Sequence, residues 1–151
     1  MAARPFHTVL EKENHMNRRT FILTSAAASA LPFVAHAVDA PVRFEDGLVR
    51  SLLAEGKTVF VDFRTDWCLT CAAQERAIQA IRAKNPELDE HIVFVNVDWD
   101  IHANSKLPKS LNIPRRSTLV MLRGDEELGR IVAGTSTSKI RELIELGLPS
   151  A

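Results

Sequence analysis

The chain has 151 residues, of which 46% are apolar and 25% are charged, and its formal net charge at pH 7 is zero. This balance is typical of a globular domain with a packed core and excludes an intrinsically disordered chain. A net charge of zero gives no indication of binding to nucleic acid or to an anionic membrane surface. Two cysteines cannot build a disulfide-rich scaffold, so the function must be sought in local motifs.

The segment Met16–Ala37 has the three parts of an export signal. Arg18 and Arg19 form a positively charged beginning, and a modest apolar stretch follows them. The segment ends in the small-x-small pattern Ala35-His36-Ala37, which signal peptidase recognises. We therefore predict that this segment directs export and is cleaved after Ala37.

The residues around the two arginines indicate the type of signal. "NRRTFIL" resembles the twin-arginine export motif, although Asn17 stands where the motif usually has Ser or Thr. The apolar run has about 14 residues, whereas a helix needs roughly 20 to cross a bilayer, which argues against an uncleaved anchor. The sequence thus predicts a signal region over residues 1–37, starting functionally at Met16, and one domain over residues 38–151.

Helical and strand patterns alternate along the predicted domain. Strands are indicated by β-branched and aromatic runs, and helices by apolar residues at helical spacing. In chain order the predicted elements are a helix within 43–57, a strand over 58–64, a helix over 72–86, a strand over 91–98, a short helix around 104–111, two hairpin strands over 117–122 and 128–134, and a closing helix capped by one of residues 135–138. This order predicts an α/β domain with a mixed four-stranded sheet covered by helices.

Both cysteines lie in the motif "DWCLTC", between a predicted strand and a predicted helix. Cys68 is expected to open the helix, where free N–H groups and the helix dipole stabilise a thiolate and lower the thiol pKa. Cys71 lies one turn later and can reach a sulfur at Cys68. The pair is therefore predicted to be redox active, with Cys68 attacking a substrate disulfide and Cys71 resolving the mixed disulfide.

The segment "VFVDFRTDWCLTC" resembles the active-site segment of the thioredoxin family, in which a strand carrying an Asp runs into Trp-Cys-x-x-Cys. The resemblance continues through "VNVDWD" and "STLVMLRGDEELGRIVAG" and covers nearly all of residues 43–148. It implies the thioredoxin fold, with the same order of elements. The variant "DWCxxC" is most similar to thioredoxin-like domains that pass electrons in the bacterial periplasm, which agrees with the predicted signal.

The resemblance also implies roles for two neighbours of the cysteines. Asp62 matches the buried acid that exchanges a proton with the resolving cysteine, and burial would raise its pKa into a useful range. Its simpler interpretation is an Asp that caps a nearby backbone group. Trp67 is expected to lie beside the sulfurs and shape the surface on which a substrate docks, the alternative being a core tryptophan.

The loop "NIPRRSTLVML" departs from the family, which carries a cis-proline opposite the cysteines. One alignment puts Ser117 at the proline's place, and the other makes Pro114 the cis-proline; we favour Ser117, after a trans peptide bond. Ser117 would then present an N–H and a hydroxyl near Cys68. Arg115 and Arg116 would add positive charge beside the site, or form a solvated basic loop.

Two charged residues at the ends of neighbouring strands are also expected to approach each other near the cysteines. Arg64 stands where thioredoxins usually have a tryptophan, and Asp98 ends the next predicted strand. Trp99 either extends the docking surface or packs in the core.

The sequence thus predicts a periplasmic thiol–disulfide oxidoreductase that acts on protein thiols and disulfides and needs no cofactor beyond its cysteine pair. Leu69-Thr70 between the cysteines lacks a His, which favours a reductant or electron relay, recharged by a membrane thiol transporter. The expected molecule is a monomer. The alternatives are a module that binds copper(I) or zinc through the pair, and a non-catalytic binding domain on the same scaffold.

Overall fold

The computed structural model describes residues 38–149, so the predicted signal region lies outside the described residues. These residues form five strands and six helices. In chain order they are β1 (Val42–Arg43), α1 (Leu48–Ala54), β2 (Thr58–Arg64), α2 (Leu69–Lys84), α3 (Leu88–His91), β3 (Ile92–Asp98), α4 (Trp99–His102), α5 (Lys106–Ser110), β4 (Thr118–Arg123), β5 (Glu126–Val132) and α6 (Thr137–Glu145).

The strands form one mixed sheet in the order β1-β3-β2-β4-β5. β3 pairs in parallel with β1 and β2, whereas β4 pairs antiparallel with β2 and β5. The predicted thioredoxin fold is confirmed, but the predicted number of four strands is wrong. The additional strand, β1, has two residues, too few to show the alternating pattern by which a strand is recognised in a sequence.

The central strand β2 is buried on both faces, as its nearly continuous apolar sequence requires. Side chains alternate between the faces, so Val59, Val61 and Phe63 enter a core with α1, whereas Phe60 enters a core with α2 and α6. Asp62 shares the alternation of Phe60 and therefore faces α2. The strand ends at Arg64, just before the cysteine motif.

Short-range interactions define where the helices on either side of β2 end and begin. α1 ends in a Schellman motif, in which the N–H of Gly56 donates to Leu53 O and that of Lys57 to Leu52 O. Gly56 has φ 78°, a left-handed conformation that suits glycine. After β2, α2 begins at Leu69, directly after Cys68, as the motif predicted and three residues before the start expected from apolar spacing.

The hairpin between β4 and β5 is tighter than the sequence indicated. Arg123 pairs with Glu126, so the turn consists of Gly124 and Asp125, not of five residues. Gly124 has φ 56° at the first turn position, where hairpins of this length favour glycine. Glu126 and Glu127 extend β5 because an edge strand tolerates charged side chains on its exposed face.

Within residues 38–149, none of the helices combines the length and the hydropathy needed to cross a membrane.

A core substitution tests this packing. Ile144 on α6 is fully buried against the cluster around Phe60, so Ile144→Ala should lower the free energy of unfolding by about 2–5 kcal/mol and Ile144→Val by about 0.5–1.5 kcal/mol. Urea denaturation with an unchanged m-value measures both. The control is Ile101→Ala, because Ile101 is 71% exposed; a loss there as large as at Ile144 would contradict the assignment of the core.

Candidate active site

Cys68 is the N-cap residue of α2. It has an extended backbone conformation, and its Sγ accepts a hydrogen bond from the backbone N–H of Cys71 at 3.2 Å. This sulfur therefore takes the place of the oxygen that usually caps a helix, at the positive end of a 16-residue helix dipole. Both cysteines are thiols and both are buried, Cys68 7% exposed and Cys71 0%. Cys68 is thus the sulfur that an incoming disulfide can reach.

The surroundings of Cys68 favour its thiolate. Burial alone would disfavour the charge, but hydrogen bonds from the Cys71 thiol, the Ser117 hydroxyl, the Cys71 backbone N–H and the Arg116 side chain outweigh it. Together they lower the pKa of Cys68 from 9.0 to about 6. Cys68 is therefore mostly ionised at neutral pH.

The pKa of Cys71 is shifted in the opposite direction. Its burial, together with its hydrogen bond and proximity to Cys68, raises the pKa of its thiol above 9.0. The Ser117 hydroxyl and the Thr65 backbone act against this rise without reversing it. One thiolate and one protonated thiol thus lie side by side, as an attacking and a resolving thiol require.

Asp62 lies in the middle of β2, between Leu119 of β4 and Asn96 of β3. It is 4% exposed, and burial is the largest cause that raises its pKa from 3.8 to about 7. The positive charge of Arg64 lowers this pKa, whereas the negative charges of Glu75 and Cys68 raise it further. Its Oδ1 has no hydrogen-bond partner among the described residues, so a capping role is not seen there.

Arg64 and Asp98 were predicted to approach each other near the cysteines. The two residues are partners in the register of β2 and β3, but Arg64 Nη2 forms its ion pair with Glu75 Oε2 of α2 at 2.9 Å. Asp98 instead caps α4 by accepting a hydrogen bond from the N–H of Asp100 at 3.0 Å. The side chains of Arg64 and Asp98 thus make these polar contacts with other residues, although the two residues are neighbours across β2 and β3.

Trp67 lies at the surface beside Cys68 and is 62% exposed, so it is not a core residue. Its indole Nε1 donates to Asp100 Oδ2 at 2.7 Å, and the guanidinium carbon of Arg116 lies 4.2 Å from the centre of the indole ring. The ring is therefore held in place from two sides. Trp99, by contrast, packs edge-on against Phe63 in the core.

Ser117 lies opposite the two cysteines. Its Oγ is 3.2 Å from Sγ of Cys68 and 3.2 Å from Sγ of Cys71, whereas Pro114 is exposed. This placement agrees with the alignment that puts Ser117 at the proline's position, and residues 38–149 contain no cis peptide bond. Ser117 was expected to present both an N–H and a hydroxyl near Cys68; the hydroxyl lies there, whereas the N–H is already paired, because it donates to Phe63 O at 2.7 Å.

Arg115 and Arg116, which were expected to behave alike, differ in their environment. Arg115 is exposed, and its Nε donates to the carbonyl oxygen of Arg116 at 3.3 Å. Arg116 is half-buried between Cys68 and Trp67. Positive charge beside the thiolate is thus supplied by Arg116.

Sequence reasoning missed two polar residues that support the site. Gln74 is fully buried on α2, and its Nε2 donates to the carbonyl oxygens of Ser117 at 3.1 Å and Gly134 at 2.9 Å. The spacing could have indicated that Gln74 faces the site, since it follows Cys71 by three residues and shares a helix face with Ala77 and Ile78. Asp100, the partner of Trp67, gave no such signal.

The described part of the chain holds no group of three or more His, Cys, Asp or Glu side chains that could bind a metal ion. The cysteine pair provides two soft ligands, whereas a structural zinc site uses four.

Comparison with known proteins places this site in a family. A protein-family model described as thioredoxin-like matches residues 41–130, which include the cysteine pair, Asp62 and Ser117. The chain belongs to the thioredoxin-like family. Thioredoxin-T of Drosophila melanogaster is 29% identical to this thioredoxin-like chain over 106 residues, which are 70% of the chain and 64% of that protein.

Solved structures give the same result. Trxlp from Edwardsiella tarda matches this thioredoxin-like protein with a TM-score of 0.60 and 25% identity, over 69% of the present chain and 98% of the other. Thioredoxin from Schistosoma mansoni matches with a TM-score of 0.55 and 26% identity, over 69% and 92% of the two chains. The chain therefore carries a thioredoxin-like redox domain with an adjacent cysteine pair.

The raised pKa of Asp62 predicts a specific dependence of stability on pH. Above pH 4 the unfolded chain loses this proton, whereas the folded domain keeps it up to about pH 7, so the contribution of Asp62 to stability falls as the pH rises through this window. Asp62→Asn removes the titration. The stability of this variant relative to the native protein should therefore increase between pH 4 and 7, by up to roughly 4 kcal/mol.

Urea denaturation at a series of pH values measures this difference. The control is Asp46→Asn at an exposed position, for which the curves of variant and native protein should remain parallel. Parallel curves for Asp62→Asn would show that Asp62 is ionised in the folded domain throughout this range.

Proposed function

We propose that this protein is an exported thiol–disulfide oxidoreductase that acts on protein thiols and disulfides in the periplasm as a reductant or electron relay. The observation that supports this most directly is the asymmetry of the pair. The Cys68 sulfur caps α2 and is ionised near neutral pH, whereas Cys71 is fully buried and protonated. This is the arrangement needed for one sulfur to attack and the other to resolve.

The proposed reaction transfers two electrons from the pair to a substrate disulfide. The Cys68 thiolate attacks one substrate sulfur, a mixed disulfide forms, and the other substrate sulfur leaves as a thiolate. Cys71 then loses its proton and attacks Cys68 Sγ, which releases the second substrate thiol and leaves a Cys68–Cys71 disulfide. A thiol donor reduces this disulfide for the next cycle.

Asp62 is proposed to take the proton from Cys71. Its pKa of about 7 suits proton exchange at neutral pH, and it lies on the face of β2 that α2 covers. Ionisation of Cys68 raises the pKa of Asp62, so formation of the mixed disulfide, which removes that charge, favours the ionised form of Asp62 that can accept a proton. The base is thus available when resolution requires it.

Substrate contact is proposed at Trp67 and Arg116, which flank Cys68, and at Ser117, which is buried and would meet only the substrate sulfur that reaches Cys68. Trp67 offers an exposed indole face, and Leu69 beside it is 87% exposed, so the rim of the site is apolar. Arg116 adds a positive charge to this rim. An extended peptide could contact the loop before β4 in the manner of an added strand, through the Arg116 backbone and not through the Ser117 N–H, which is already paired.

Export and recharging complete the proposal. Met16–Ala37 supports passage through a twin-arginine pathway, which carries folded proteins, and the partner that recharges the pair is proposed to be a membrane thiol transporter. The mature protein is proposed to act as a monomer that needs no metal or organic cofactor.

Two cysteine variants test the chemistry. The domain over residues 38–151 should reduce a model protein disulfide with a thiol donor present, and Cys68→Ser should reduce the rate to background because the attacking sulfur is absent. Cys71→Ser should accumulate mixed disulfides, visible as adducts by mass spectrometry, because resolution fails. The native domain under the same conditions is the control. Full activity in Cys68→Ser would contradict the proposed mechanism.

A separate experiment tests export. In a bacterium with a twin-arginine pathway, the 151-residue chain should be recovered from the periplasm with Val38 as its first residue. Replacing Arg18 and Arg19 with Lys should retain it in the cytoplasm, because this pathway recognises the arginine pair. The control replaces the exposed Arg43 and Arg50 with Lys. Normal export of the Arg18→Lys, Arg19→Lys chain would contradict a twin-arginine signal.

A further inference from the structure

One buried hydroxyl contacts both redox sulfurs. Ser117 is 0% exposed, and its Oγ lies 3.2 Å from each of the Cys68 and Cys71 sulfurs. A hydroxyl has one hydrogen to donate and two lone pairs with which to accept. Because a thiolate can only accept, the hydroxyl hydrogen points to the ionised Cys68, which also accepts from the thiol of Cys71.

The position of this hydroxyl is fixed by an unusual backbone. Ser117 has φ 63°, in the left-handed region that residues other than glycine seldom occupy. Its N–H donates to Phe63 O at 2.7 Å, and its carbonyl oxygen accepts from the N–H of Ala133 at 2.8 Å. These bonds hold the strained conformation in place.

Gln74 connects this turn to the cysteine helix. Its amide nitrogen donates to the Ser117 carbonyl at 3.1 Å and to the Gly134 carbonyl at 2.9 Å, and the side chain is fully buried. Since Gln74 lies one turn beyond Cys71 on α2, the helix that carries both sulfurs also fixes the turn that carries the hydroxyl.

We propose that Ser117 is a catalytic residue whose hydroxyl stabilises the reduced pair by donating to the Cys68 thiolate, and that Gln74 is the positioning residue that holds it there. Reduction of the disulfide takes two electrons from a thiol donor and one proton; the bond between the sulfurs breaks, the proton goes to Cys71 and Cys68 becomes a thiolate. The hydroxyl binds this charged sulfur more strongly than a neutral disulfide sulfur, so it makes the couple more oxidising. This inference rests on the proposed redox function.

Two substitutions separate the effect of the Ser117 hydroxyl from that of its backbone conformation. Ser117→Ala removes the hydroxyl, and Ser117→Gly removes it while also suiting the positive φ. In both variants the pKa of Cys68, followed by the ultraviolet absorbance of its thiolate, should rise by about one unit. The equilibrium with a glutathione redox buffer should shift roughly tenfold toward the disulfide, which corresponds to about 30 mV.

The matched control is Ser110→Ala, at an exposed serine of α5 that donates to Leu107 O. This control should change neither the pKa nor the equilibrium. Native values in both Ser117 variants would overturn the inference while leaving the proposed function intact. Conversely, if the native domain did not catalyse disulfide exchange, the proposed function would be overturned. The titration of the Cys68 thiolate would still show whether the Ser117 hydroxyl stabilises it.

Gln74 is tested by its effect on Cys68. Gln74→Leu should raise the pKa of Cys68 in the same direction as Ser117→Ala, and the double variant should show no further rise, because Gln74 acts through the hydroxyl. Gln74→Asn, with a shorter amide, tests the same point if the Leu variant does not fold. Gln79→Leu, at an exposed position of the same helix, is the control. Additive shifts in the double variant would overturn the positioning role.

Discussion

The two-sided burial of β2 is the constraint on which the rest of the domain depends. This strand pairs with β3 on one side and β4 on the other, and its side chains enter both cores. Neither face of the strand contacts solvent, so a polar side chain on it loses its hydration, which costs free energy. Asp62 is held in this strand, and the chain leaves it at Arg64 to form the cysteine motif. The position of the site and the protonation of its acid thus follow from one packing requirement.

Burial also explains why three neighbouring acidic groups have different states at neutral pH. Water is excluded from all of them, so each takes the form that its remaining neighbours favour. Cys68 has several hydrogen-bond donors and is ionised, whereas Cys71 keeps its proton and Asp62, with a pKa of about 7, can gain or lose its proton near neutral pH. The negative charge of Cys68 raises the pKa of Asp62, so a reaction that removes this charge favours ionisation of Asp62. The site therefore couples a change at sulfur to the movement of a proton.

The sequence could predict those parts of the site that are contiguous in the chain. Asp62, Trp67 and the two cysteines lie within ten residues, and the strand and helix that carry them have strong periodic signals. Ser117 required the family resemblance, because 46 residues separate it from Cys71. Gln74 and Asp100 act through contacts between distant segments, and their residue types are ordinary on helices, so their roles appear only once the fold is known. The same holds for β1, whose two residues form a strand only because β3 is beside it.

The left-handed backbone at Ser117 also limits how this loop can change in evolution. Proline requires φ near −65° and has no N–H, so it fits neither the conformation of residue 117 nor its bond to Phe63 O. β-branched residues are excluded by the same positive φ, whereas glycine, asparagine and aspartate are tolerated. A lineage with this turn therefore cannot exchange serine for proline in a single step without rebuilding the neighbouring backbone. A change to proline at this position would therefore require a different backbone conformation and the loss of the hydrogen bond to Phe63 O.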